Sequence, residues 1–267
     1  MSRLATRFEQ LKSQQRKALV SYVMAGDPHP QVTVPLLHQM VEAGVDVIEL
    51  GLPFSDPMAD GPVIALAAER ALAGGTNTLD VLDMVKAFRE KDQTTPVVLM
   101  GYLNPVEVIG YEKFVAYAKD CGVDGVLLVD LPPEESKQFG EVLKQNEMDQ
   151  IFLLAPTSTD KRIQHVVNHA SGFVYYVSLK GVTGAATLDT SEAAARIAKI
   201  KTMTNVPVGV GFGISDAASA KAMGQVADAV IVGSAFVKSF ATLPADDAVQ
   251  ETVNKVKELR AALDELV

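Results

Sequence analysis

Ala43-Gly44-Val45-Asp46-Val47-Ile48-Glu49-Leu50, residues 43–50, ends one kind of structure and begins another. Before it, Val32–Ala43 places apolar residues at helical spacing, and Gly44 suits the left-handed position just past a helix C-terminus. After it, Val45–Leu50 is a short apolar run of β-branched character, the signature of a strand. The passage recurs: a helical pattern over Tyr111–Asp120, then Cys121-Gly122-Val123-Asp124, then the apolar run Gly125–Val129. A repeated helix, glycine and strand is the mark of a repeated βα unit.

Working outward from these copies, the same alternation extends along the chain. Candidate strands are Ala18–Met24, Val45–Leu50, Val97–Met100, Gly125–Val129, Ile151–Leu154, Phe173–Val177, Val208–Gly211 and Ala229–Val232. Helical periodicity lies between and after them, at Val32–Ala43, Val63–Ala73, Leu79–Lys91, Tyr111–Asp120, Glu134–Gln145, Lys161–Ala170, Glu192–Lys201, Asp216–Met223 and Asp247–Leu266, with Asp160, Ser191 and Ser215 as N-caps. Most strand runs are continuously apolar, as strands covered on both faces of a parallel sheet must be. With no interior linker or shift of composition, eight βα units predict a single (β/α)8 TIM barrel of class α/β, one catalytic domain over residues 1–267. Arg3–Gln14 is then an extra N-terminal helix placed to close the barrel's N-terminal end. A doubly wound open sheet is the alternative.

Composition narrows the function. The 267 residues are 48% hydrophobic and 21% charged, an ordinary globular balance. Lys plus Arg is 24 against 33 Asp plus Glu, a net charge of −9 that repels phosphate backbones and anionic membranes. A single cysteine, Cys121, excludes an internal disulfide and reads as a core residue at a helix end. No stretch has the ~20 apolar residues of a membrane span, and residues 1–14 lack the apolar run of a signal peptide. These features predict a cytoplasmic protein. His165 and His169 stand four apart on a helix, without the glutamate of a zinc-protease motif, and read as surface residues rather than a metal site.

A barrel puts its chemistry on the loops that leave the C-terminal ends of its strands. Three late exits are glycine-rich: Gly181-Val182-Thr183-Gly184, Gly209-Val210-Gly211-Phe212-Gly213 and Gly233-Ser234. Glycine lets an anion approach main-chain N–H groups, so their coincidence reads as a phosphate cradle. Glu49 ends the second strand, and residues 51–62 beyond it carry Asp56 and Asp60. A carboxyl at the mouth of an apolar barrel has its charged form disfavoured, which suits it to proton exchange near neutral pH. The exits at Ala25-Gly26-Asp27-Pro28 and Gly101-Tyr102-Leu103-Asn104-Pro105 read as turns. Lys180, just past the sixth strand, keeps a Schiff-base mechanism open.

Ile48-Glu49-Leu50-Gly51-Leu52-Pro53-Phe54-Ser55-Asp56-Pro57-Met58-Ala59-Asp60-Gly61-Pro62 closely resembles the signature of the tryptophan synthase alpha subunit family. Ala25-Gly26-Asp27-Pro28, Asn104-Pro105, Asp130-Leu131-Pro132, Ser178 with Gly181-Val182-Thr183-Gly184, and Gly211-Phe212-Gly213-Ile214 resemble its other motifs, in order. The resemblance implies a (β/α)8 barrel lyase of tryptophan biosynthesis that cleaves indole-3-glycerol phosphate to indole and glyceraldehyde 3-phosphate, without cofactor or metal in this chain. It assigns acid–base work to Glu49, contact with the indole N–H to Asp60, and a place beside them to Tyr175. It gives the phosphate to Gly184, Gly213, Gly233 and Ser234, and the indole pocket to Tyr22, Met100, Leu127, Leu153, Thr183 and Phe212. It implies a pyridoxal-phosphate-bearing beta subunit that receives the indole in an alpha2-beta2 heterotetramer, docked at Asp56, Pro57, Asn104 and Pro132. Leu179 and Tyr22 depart from members with arginine and phenylalanine there. Residues 179–190, rich in glycine and threonine, are expected to form a lid. Another phosphosugar barrel enzyme, an isomerase or an aldolase using Lys180, and a non-catalytic subunit that activates a partner are the competing functions.

Overall fold

The protein is described as a computed structural model covering residues 2–177, 190–211 and 213–267, with the side chain of Thr190 left aside. Its strands are β1 (Ala18–Met24), β2 (Val47–Gly51), β3 (Val97–Gly101), β4 (Gly125–Leu128), β5 (Asp149–Gln150), β6 (Phe152–Leu154), β7 (Val174–Val177), β8 (Val208–Gly211) and β9 (Ala229–Val232). All pair in parallel, in the order β5-β4-β3-β2-β1-β9-β8-β7-β6. The two ends of that order, β5 and β6, are separated in sequence only by Ile151. Its N–H donates to the Val126 carbonyl at 3.0 Å, so β5 and β6 are halves of one stave and the sheet closes on itself. The expected eight strands are thus present, the fifth being shared: its first half pairs with β4 and its second with β7.

The helices that cover the barrel include α1 (Arg3–Ser13), α2 (Pro30–Glu42), α3 (Pro62–Ala73), α4 (Thr78–Arg89), α5 (Leu103–Ile109), α6 (Tyr111–Cys121), α7 (Lys137–Gln145), α8 (Asp160–His169), α9 (Thr190–Lys201), α10 (Ala217–Gly224), α11 (Ser234–Val237) and α12 (Ala245–Asp264). The N-cap expectations shift by a residue. Thr159 accepts the Arg162 N–H and Asp216 that of Ser219, so these side chains, rather than Asp160 and Ser215, reach the orphan donors of the first turn. Ser191 lies inside α9. The turn expected at 101–105 starts α5 instead, whose Leu103 N–H is satisfied by the Asp130 carboxylate at 2.8 Å. Among the described residues no helix is long and apolar enough to cross a membrane.

The Gly-Val-Asp repeat has a specific use. Val45 N–H still closes the end of α2 on the Met40 carbonyl, so β2 starts two residues later than its apolar run. Gly44 and Gly122 both take positive φ, 113° and 89°. A Cβ on Gly44 would lie 2.6 Å from Cγ of Arg260, and one on Gly122 2.8 Å from Cγ of Arg89. Each arginine then reaches the aspartate two residues on: Arg260 to Asp46 at 2.9 Å and Arg89 to Asp124 at 2.8 Å. Those carboxylates also accept a strand N–H, from Leu19 at 2.9 Å and Val97 at 2.8 Å. Glycine makes room for the cation that neutralises the buried aspartate bracing the next strand's start.

Alternation along each strand sends every second side chain inward. Ala18, Val20, Val47, Val98, Leu127, Ile151, Phe173, Ala229 and Ile231 form the lower interior, where Leu4, Phe8 and Leu11 of α1 pack against them and plug the N-terminal end. Ser2 donates to Asp149 at 2.7 Å and Arg3 pairs with Asp124 at 2.9 Å, fixing the plug. The same inward parity carries Tyr22 on β1, Glu49 on β2, Met100 on β3, Leu153 on β6 and Tyr175 on β7 toward the opposite mouth.

Candidate active site

Glu49 sits at the level of Tyr22 on one side and Val98 on the other. It is fully buried, and neither carboxyl oxygen has a hydrogen-bond partner among the described residues. Burial pushes its pKa up to about 8, because no neighbouring cation or N–H offsets the loss of water around the charged form. An unpaired buried carboxyl is unfavourable for folding, and that is the first reason to read Glu49 as functional.

Two phenols stand beside it, each seated on a glycine of the adjacent strand. A Cβ on Gly51 would lie 2.4 Å from Oη of Tyr22, and one on Gly211 2.3 Å from Oη of Tyr175. Tyr22 has its pKa held well above the usual phenol range by burial, then by the charges of Asp60 and Glu49; Tyr175 is held up by burial, then by Glu49. Both hydroxyls therefore remain protonated donors beside the carboxylates. Gly209 and Gly211 lie within β8, at the bounds expected for that strand, although they also opened the glycine-rich run read as an exit; a Cβ on them would meet Ile231 and Tyr175.

Asp60 lies on the β2–α3 loop, half-buried at the mouth. Burial raises its pKa, while the hydroxyl of Tyr102 favours the charged form. A narrow cavity is walled by Asp60, Tyr22, Phe54, Met100, Tyr102 and Val129. Tyr102 is the site residue missed in the sequence, where its segment reads as a turn. The only available signal was its position at the exit of the third strand.

The remaining assignments distribute as follows. Leu127 and Leu153 line the barrel interior below the mouth. Gly233, at the start of α11, lies with its Cβ position 3.4 Å from Cβ of Tyr22, so the last glycine exit adjoins the phenol. Ser234 is exposed, and Gly213 takes a φ of 75° in the loop before α10. Asp56 and Asn104 are exposed while Pro57 and Pro132 are half-buried; Asp56, Pro57 and Pro132 lie on loops after β2 and β4, and Asn104 in the first turn of α5 after β3, three neighbouring strands. Thr183, Gly184 and Phe212, like Lys180 and the expected lid at 179–190 except for its last residue, lie outside the described residues.

Comparison with known proteins bears on this geometry. The family model described as tryptophan synthase alpha chain matches residues 8–266. The tryptophan synthase alpha chains of Acinetobacter baumannii (strain AYE) and Acinetobacter baylyi are 89% and 86% identical over 267 residues, all of each chain. The crystal structure of tryptophan synthase subunit alpha from Legionella pneumophila str. Paris superposes with a TM-score of 0.91 at 42% identity over 99% of both chains. That of tryptophan synthase from M. tuberculosis in an aminoacrylate-bound form gives 0.88 at 34% identity, over 98% of this chain and 100% of that one. With a family model that matches nearly the whole sequence, relatives aligned from end to end and the same fold in solved structures, the chain belongs to the tryptophan synthase alpha chain family, lyases that cleave indole-3-glycerol phosphate.

Proposed function

We propose that Glu49 moves both protons of the cleavage and that Asp60 carries the charge that appears on the indole ring. The observation that carries this reading is Glu49 itself, fully buried, unpartnered and held protonated to about pH 8. A neutral carboxylic acid there donates its proton to C3 of the indole, turning the ring into an indolium whose N1–H carries positive charge. Asp60 at the mouth accepts that N1–H and stabilises the cation. The resulting Glu49 carboxylate then takes the proton of the C3′ hydroxyl as the C3–C3′ bond breaks. Its electrons return to the ring, leaving indole and the aldehyde of glyceraldehyde 3-phosphate, with Glu49 again protonated. Atoms and electrons balance with side chains alone, so no cofactor is assigned to this chain.

Tyr175 borders Glu49 and keeps water from it. Tyr22, Met100, Leu127 and Leu153, with Thr183 and Phe212, form the indole pocket in this reading, and Gly213, Gly233, Ser234 and Gly184 take the phosphate. Asp56, Pro57, Asn104 and Pro132 face a beta subunit, which holds pyridoxal phosphate and receives the indole in an alpha2-beta2 assembly of the cytoplasm. Three adjacent exits of one barrel rim support a single docking face there. A Schiff base on Lys180 is not favoured by membership of this family. The test is indole release from indole-3-glycerol phosphate by the purified chain, with and without beta subunit. Slow release alone and faster release with the partner is the expected result; a borohydride trap on Lys180 in place of release would overturn it.

A further inference from the structure

Tyr102 is the best-held polar side chain at the mouth that no role above employs. It is 3% exposed and stands at the N-cap of α5, one residue past β3. Two contacts and one electrostatic interaction reach from it into the β2–α3 loop. Its hydroxyl oxygen accepts the Ala59 N–H at 3.0 Å. Its ring packs on that of Phe54, centroids 5.2 Å apart. The hydroxyl also acts on the Asp60 carboxyl, favouring its charged form. With Phe54 and Asp60 it walls the same narrow cavity. One residue further on, the Leu103 N–H is tied to Asp130 at 2.8 Å, so Tyr102 springs from a backbone fixed on its other side as well.

We propose that Tyr102 is a positioning residue for Asp60: its hydroxyl engages the backbone on one side of Asp60 and the carboxylate itself, and its ring anchors the loop at Phe54. The inference rests on the reading that Asp60 meets the indole N–H. The β2–α3 loop from Pro53 to Gly61 forms neither helix nor strand; its turns, closed by the Met58 N–H on Asp56 at 2.9 Å and the Asp60 N–H on Pro57 at 3.0 Å, hold the backbone and leave the direction of the Asp60 carboxylate to a side-chain partner. A phenol fits the task better than a lysine or arginine. A cation would pair permanently with the carboxylate and compete with the indolium, whereas a neutral hydroxyl donates one hydrogen bond and leaves the remaining lone pairs to the substrate. The other titratable groups that act on this neighbourhood are Tyr22, which feels Asp60 and Glu49, and Asp130, which acts on Tyr102; they are neutral or negative, so Tyr102 is the donor that offsets them.

The test uses Tyr102→Phe, which keeps the ring on Phe54 and removes only the hydroxyl, with Tyr102→Leu to remove both and Asp60→Asn as reference. Carbon-13 aspartate labelling gives the Asp60 carboxyl titration directly, its resonance assigned by its loss in Asp60→Asn. Tyr102→Phe is expected to move that titration to higher pH and carry the acid limb of kcat/KM with it, with a loss of kcat/KM on the order of tenfold at neutral pH. Tyr102→Leu should lose more. A structural role alone would lower the melting temperature without moving the carboxyl. If Asp60 titrates at the same pH in wild type and Tyr102→Phe, the inference is overturned. If the titration moves but Asp60→Asn cleaves substrate normally, Tyr102 still holds the carboxylate and it is the catalytic role of Asp60 that fails.

Discussion

Replacing Glu49 with glutamine should stabilise the fold, by an amount that grows with pH. In the native protein the carboxyl keeps its proton to about pH 8, whereas in the unfolded chain it ionises near the ordinary glutamate value of 4.5. Between those values raising the pH removes a proton from the unfolded chain only, which lowers the free energy of the unfolded state and so reduces wild-type stability. Glutamine does not titrate. The difference in unfolding free energy between Glu49→Gln and wild type should therefore rise by about 1.4 kcal/mol per pH unit between roughly pH 5 and 8, to a total on the order of 4 kcal/mol, and then level off. Any constant effect of burying an amide shifts the whole difference curve without changing its slope. Urea unfolding of both proteins at pH 5, 6, 7 and 8, followed by the loss of native near-ultraviolet signal, gives that curve. A flat difference over this range would mean that the native carboxyl is already ionised, and the reasoning from its burial and lack of partners would be wrong.

Three further outcomes follow from the site. Asp60→Asn should slow cleavage on the order of tenfold to a hundredfold, less than the loss at Glu49, because an amide still meets the indole N–H without the charge; single-turnover rates decide this. Gly51→Ala puts a methyl 2.4 Å from the Tyr22 hydroxyl, so the ring must shift. The expected result is a stability loss of about 1–3 kcal/mol and a raised KM, read by thermal unfolding and steady-state kinetics. Charge reversal at Asp56 or bulk at Asn104 should weaken co-migration with a beta subunit on size exclusion while leaving the isolated chain's cleavage unchanged.

The barrel was legible because its signals are local and repeated. Gly44 and Gly122 end helices in the left-handed region, apolar runs mark doubly covered strands, and Glu49 interrupts one such run with a charge that the core does not otherwise tolerate. What escaped depends on contacts between segments distant in sequence. Ile151 reads as part of one strand, and only the closed sheet shows that its two sides pair with different neighbours. Arg89 and Arg260 give no sign in the sequence that they fill the space left by Gly122 and Gly44. Gly209 and Gly211 read both as the end of a strand and as the start of a glycine-rich exit, and only the fold shows that they admit Ile231 and Tyr175. Tyr102 follows a glycine and precedes Asn104-Pro105, a turn-like context, and only the fold brings it to Ala59 and Asp60.

The central claim is that one buried carboxyl transfers the protons of the cleavage. Its most direct test is single-turnover cleavage of indole-3-glycerol phosphate by wild type and Glu49→Gln, with the affinity of each for a phosphorylated substrate analogue measured alongside. Cleavage should fall by at least the ~10²–10⁴-fold typical of general acid–base catalysis while affinity is retained. Near-normal cleavage by Glu49→Gln would contradict the account.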